Sequence, residues 1–109
     1  MRKAELKGGA LPKVTEEMAR WSVLLQDEVR SWPEVRLSRM FGMVGVYRED
    51  RIFAMLPGTR GVGAANAIGV KPRPGAGANK MWDFYVVEDE RDLSGAIKRL
   101  GEAYEAAGR

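Results

Sequence analysis

Between residues 58 and 81 the chain carries four basic side chains, Arg60, Lys71, Arg73 and Lys80, and no acid. Cations spread through a glycine- and proline-rich stretch can neutralise phosphates, so this segment suggests charge-driven binding of an anion or a nucleic acid. Inside it, Gly58-Thr59-Arg60-Gly61-Val62-Gly63 superficially resembles a phosphate loop. It lacks the Gly-Lys-Ser/Thr ending, and no helical pattern follows, so a backbone cradle for phosphate is not expected. Arg36 and Arg39 offer a second anion site along one strand; the plainer reading makes them the solvent face of an alternating strand.

Other chemistries are excluded by what the chain lacks. There is no cysteine and no histidine among its 109 residues. Disulfides, thiolate nucleophiles and cysteine-ligated metals are therefore absent, as are the commonest general base and the commonest transition-metal ligand. The acidic pairs Glu49-Asp50 and Glu88-Asp89-Glu90 with Asp92 do not have the spacing of a calcium loop. They read as a turn and a helix start, so no catalytic residue, metal or cofactor is expected. A net charge of +3 is mild. The basic residues at the N-terminus are followed by no apolar run, and no apolar stretch nears the roughly 20 residues of a membrane span. A cytoplasmic protein without a membrane segment is expected.

The elements that must position these residues follow from hydrophobic period. Residues 1–13, rich in Lys and Gly, are expected to form a flexible tail, and residues 14–109 a single domain, which 45% hydrophobic content suffices to fill. Thr15 is placed to cap a helix whose first turn holds Glu16 and Glu17, with Met18, Trp21, Leu25, Val29 and Trp32 as its apolar stripe and Pro33 beyond its end. Val35 to Met40 alternates as a half-buried strand. Val44–Tyr47 and Ile52–Leu56 predict a hairpin about Arg48-Glu49-Asp50-Arg51. Ala67 to Lys71 is a short strand, Lys71 to Lys80 a mobile loop, and Met81 to Val87 the strongest strand. Leu93, Ala96, Ile97, Leu100, Ala103, Tyr104 and Ala107 mark a closing helix capped by Asp89 or Asp92 and stopped by Gly108. The sum is an α+β two-layer domain: an antiparallel sheet of three to five strands flanked by an N-terminal and a C-terminal helix. Phe41, Phe53, Trp82 and Phe84 are expected in its core, with Trp21 and Trp32 as further anchors. Gly42 and Gly45 read as a bulge or a close packing contact.

The run Arg39-Met40-Phe41-Gly42, then Gly45 and Tyr47, then a hairpin ending in Phe53-Ala54, resembles the hallmark of the TfoX N-terminal domain family. YjbR-like proteins share a similar order and are the nearest alternative. The resemblance covers about Thr15 to Ala107 and departs from the pattern at Met43, where a second glycine often follows. It implies a two-layer α+β fold, no catalytic residues, and a loose link to regulation of DNA-uptake competence. The expected function is accordingly a non-catalytic regulatory or protein-interaction domain with a protein partner, a homodimer being one form this could take. The alternatives are a weak nucleic-acid binder using Arg60, Lys71, Arg73 and Lys80, and a small-molecule or anion-binding domain.

Overall fold

A computed structural model describes residues 12–73 and 81–109. Lys80, residues 74–79 of the expected loop, and residues 1–11 of the expected tail lie outside the described residues. Order reaches further toward the N-terminus than the composition of the tail suggests. Pro12 accepts a hydrogen bond from the Gly61 amide (2.7 Å), Lys13 bridges Arg60, and the Val14 amide donates to Thr59 (3.2 Å). Backbone pairing, which composition does not reveal, draws these residues onto the domain.

The chain runs α1 (Glu16–Arg30), β1 (Val35–Met40), β2 (Met43–Arg48), β3 (Arg51–Pro57), β4 (Ala67–Val70), β5 (Asp83–Val86) and α2 (Asp92–Ala107). Thr15 caps α1 as expected, its hydroxyl accepting from the Met18 amide (3.1 Å). Met18, Leu25 and Val29 are buried on one face, and Ser22, buried among them, donates to the Pro57 carbonyl (2.6 Å). Removing a polar group from water is tolerable there because its hydrogen bond is made.

Neither expected cap of α2 takes that role. Arg91 stands at the N-cap position without a side-chain bond. Asp92 lies one residue inside the helix, where its carboxylate accepts from the Glu88 and Asp89 amides, and Asp89 accepts from the Arg91 amide. The two carboxylates stabilise the turn before the helix rather than the helix start itself.

All five strands form one antiparallel sheet in sequence order, so every connection joins neighbours. Both helices pack on the same face. Their apolar stripes close over Val44, Val46, Leu56, Ile68 and Val70, all within one core cluster. A bulge in the β2–β3 pairing shifts the register between Val46 and Tyr47, and it sets both Phe53 and Ala54 into the core with no exposed surface. Burying a phenylalanine fully is worth about 1.5–3 kcal/mol relative to leaving it exposed.

At one end, Arg48 fastens α2 to the β2–β3 turn. Its guanidinium donates to Glu34 (3.0 Å) and to the Tyr104 carbonyl (3.1 Å), and it stacks 4.1 Å from the Tyr104 ring centre. The hydrogen bond to Glu34 raises the Arg48 pKa above its ordinary value.

Two expected core residues are not core. Phe41 is 83% exposed and Phe84 56% exposed, and Trp82 is only half-buried. Phe41 lies in a turn between strands, where no element covers it. Phe84 alternates onto the sheet face away from the helices at an edge strand. Trp21 and Trp32 pack against the core from its margin.

Candidate interaction surface at the hairpin tip and the basic groove

Met40 pairs with Met43, which leaves Phe41 and Gly42 as a two-residue loop. Their φ angles are +54° and +78°. Two consecutive positive values match the type I′ turn, whose twist suits two antiparallel strands. Glycine adopts this backbone freely, whereas a phenylalanine there is displaced from its preferred regions by about 1–2 kcal/mol. The Phe41 ring recovers none of that by packing, being the most exposed of the large hydrophobic side chains described. Beneath it, the Gly42 carbonyl accepts from both the Gly58 amide (3.1 Å) and the Arg60 amide (2.9 Å). A Cβ on Gly42 would meet the Arg60 side chain at 2.7 Å. The tip is thus locked onto the segment after β3, with Arg39 and Thr59 lining a 190 Å³ hollow at its side.

The family-motif residues divide sharply by environment. Phe53 is core. Gly45 is buried in β2 beneath the Met40, Tyr47 and Ile52 side chains, and a Cβ there would meet all three at 3.0–3.3 Å. Tyr47 pairs across the strands with Arg36, whose guanidinium stacks 4.4 Å from the ring centre. Arg36 and Arg39, three positions apart on one strand, project to opposite faces and form no joint anion site.

Nor do the basic residues of the glycine-rich segment converge. The Lys71 amide bonds to Phe53, near the start of β3, while the Arg60 amide bonds to Gly42, beside the Met43–Pro57 pair at the other end. Those anchors lie four residue steps apart along the strand, roughly 13 Å. Lys71 stacks over Trp82 at 5.0 Å. Arg73 donates to Glu102 through both Nε (3.2 Å) and Nη2 (3.0 Å). Segment 58–63 leads through a bridge and a turn into strand β4 rather than a helix, which removes the remaining likeness to a phosphate loop.

Lys71 and Arg73 do reach a groove between the exit of β4 and the C-terminal half of α2. It comprises two adjoining hollows of 380 and 530 Å³ that share Lys71, Ala103 and Ala106. Arg99 and Arg109, which no sequence motif marks, also line it, as do Glu102 and Glu105. Arg99 links Glu102 (2.7 Å) to Asp83 on β5 (3.2 Å). The Glu102 carboxyl is held below its ordinary pKa, first by its hydrogen bond from Arg73 and then by that from Arg99. Glu102 and Glu105 offset only part of the charge of Arg51, Lys71, Arg73, Arg99 and Arg109, so the groove lining stays net positive although Glu102 engages both Arg73 and Arg99. Among the described residues, no three His, Cys, Asp or Glu side chains gather to hold a metal. No described helix is long and apolar enough to cross a membrane.

The class of protein these features define is a two-layer α+β domain with a meander sheet and an exposed aromatic hairpin tip. In comparison with known proteins, no family model matches the chain, and no curated protein or solved structure matches it either.

Proposed function

We propose that this chain is a non-catalytic protein-interaction domain of the TfoX N-terminal type, acting in the cytoplasm, and that the Phe41 hairpin tip is its point of contact. The observation that carries this reading is Phe41 itself: a bulky residue at φ +54° with 83% of its surface exposed. Such a residue costs folding energy and contributes no packing, which suits a side chain whose partner lies outside the domain. Aromatic and arginine side chains are enriched at protein interfaces, and Arg39 stands two residues away. The resemblance in residues 39–47 supports a regulatory role of this kind, with its loose link to DNA-uptake competence.

The nucleic-acid reading has less support, because Arg60 is separated from Lys71 and Arg73 and the latter is paired with Glu102. A photo-cross-linking phenylalanine analogue placed at position 41 in the native cell tests the interaction reading. One dominant protein adduct is expected from position 41 and none from Val23, an exposed residue on α1. Equal labelling from both positions, or none from position 41, would overturn it. Duplex DNA binding at low salt that weakens alike on Arg60→Ala and Lys71→Ala would favour the basic segment instead.

A further inference from the structure

The two ends of the sheet leave one strand unprotected. Strand β5 pairs only with β4, so its outer side presents unpaired backbone to whatever approaches among the described residues. The Val87 amide bonds to Asn66 (2.8 Å), and the register continues through Tyr85 opposite Ile68. In an antiparallel ladder the bonded pairs alternate, so Tyr85 and Asp83 direct their backbone groups inward to β4. Phe84 and Val86 direct theirs outward. These same two residues are 56% and 46% exposed, and they share with half-buried Trp82 the sheet face away from the helices. The edge therefore offers hydrogen-bonding groups and an apolar row together, without the lysine, proline or bulge that ordinarily blunts such a strand.

We propose that β5 is a self-association edge: two copies of the chain join their β5 strands antiparallel, with Phe84 opposite Phe84 of the second copy, making one ten-stranded sheet. This stands apart from the role assigned to Phe41. A second copy fits because the strand is complementary to itself in one register. Outward-directed backbone must meet outward-directed backbone, which places the two-fold axis on a residue of the strand, and an axis at Asp83 would set the two Asp83 side chains opposite each other. An axis at Tyr85 sets Trp82 against Glu88 of the second copy, and one at Val86 sets Phe84 against that same glutamate. An axis at Phe84 instead sets Trp82 against Val86 and ring against ring, so that apolar meets apolar throughout the row. Asp83, the one charge inside the strand, is held by Arg99 of its own chain (3.2 Å). No unpaired like charges are brought together. A contact of one short strand and one apolar row falls below the roughly 800 Å² per partner of a standard interface, so association is expected to depend on concentration.

Because the chain has no cysteine, a single introduced thiol reports the axis directly. Bonded antiparallel pairs hold their Cα atoms about 5.5 Å apart, within disulfide reach. Under mild oxidation at about 100 μM, Phe84→Cys should form a covalent dimer at least tenfold faster than Val23→Cys on α1. Sedimentation equilibrium of the unaltered chain should show its mass rising from monomer toward dimer with concentration. Val86→Lys, at an exposed position, should stay monomeric with an unchanged circular dichroism spectrum and melting temperature. Equal cross-linking of both cysteine variants, a chain still monomeric near 1 mM, or a dimer that survives Val86→Lys would each overturn the proposal. Capture of an extended peptide by β5 without self-association would do so as well, by assigning the edge to another partner.

Discussion

The outer strands of the sheet, β1 and β5, are built on opposite principles. On β1, Arg36 and Arg39 are exposed, and Arg36 lies over Tyr47 of the neighbouring strand. Charge on an edge keeps other strands away, since a second backbone could pair only by desolvating it. β5 has no such guard among the described residues, where it ends the sheet with Phe84 and Val86 open to solvent. The strand with the strongest β-forming sequence is thus the least covered. High β-propensity marks residues that fit a pleated surface, and a sheet edge can use that surface to receive another strand as well as to bury it. Apolar character at this edge therefore points to association, whereas the apolar character of β2 and β3 points to folding.

The largest effect should separate those two uses of an aromatic ring. Phe53→Ala removes a ring with no exposed surface and should cost about 3–5 kcal/mol in urea melts. Phe84→Ala and Phe41→Ala, measured on monomer, should each cost less than about 1 kcal/mol, since surface substitutions outside caps and cores rarely exceed that. A loss above about 2 kcal/mol for either would mean that the described edge and tip are packed after all, and the contrast with β1 would fail.

That same set of rings shows which parts of the fold were legible from sequence. Both helices and an antiparallel sheet of three to five strands follow from hydrophobic period and turn residues, because those patterns report which face of an element is buried. Whether a given face has a neighbour is a tertiary fact. Phe53 and Phe84 look alike in sequence, and only the β2–β3 bulge and the edge position of β5 tell them apart. Phe41 could have been found: one residue and a glycine between two alternating strands is the signature of a tight hairpin, which places the first residue on the surface. The basic segment was legible as composition but not as a site. Nothing in the spacing of Arg60, Lys71 and Arg73 foretells that β3 separates the first from the others, or that Glu102 on α2 engages the third.

A middling effect of opposite sign is expected at the tip that closes β1. Phe41→Asn creates the Asn-Gly pair favoured in type I′ turns, because asparagine tolerates positive φ far better than phenylalanine. The variant should gain about 1 kcal/mol in chemical denaturation, from relief of strain at φ +54°. Added as an unlabelled competitor, it should leave the adduct formed from the labelled position 41 undiminished, where the parent chain reduces it. Destabilisation would show that the Phe41 ring packs in solution and would remove the ground for treating it as a contact residue.

The smallest effect concerns how each edge is fastened to the rest of the domain. Along β1 the stacking of Arg36 on Tyr47 involves no carboxylate, and the one ion pair described at this edge, Glu34 with Arg48, lies before the first residue of the strand. β5 is held through Arg99, which bonds both Asp83 on the strand and Glu102 on α2. The Glu102 carboxyl has its pKa lowered in the folded state by Arg73 and Arg99, so folding favours its ionised form. A group of this sign contributes stability that is complete above its unfolded pKa and is lost as pH falls through its folded one. Exposure of the cluster keeps the contribution small, and added salt screens it further. Lowering the pH from neutral through the carboxylate range should therefore reduce the amide protection factors of Tyr85 and Val87 on the β5 side by more than that of Ser38 on β1. Arg99→Ala should lower protection at β5 at neutral pH and weaken its acid dependence, since one of the two arginines that make protonation of Glu102 costly is gone while Arg73 remains. If Ser38 and Tyr85 lose protection in parallel, in the parent chain and the variant alike, acid is acting on the whole fold and the two edges are fastened by the same means.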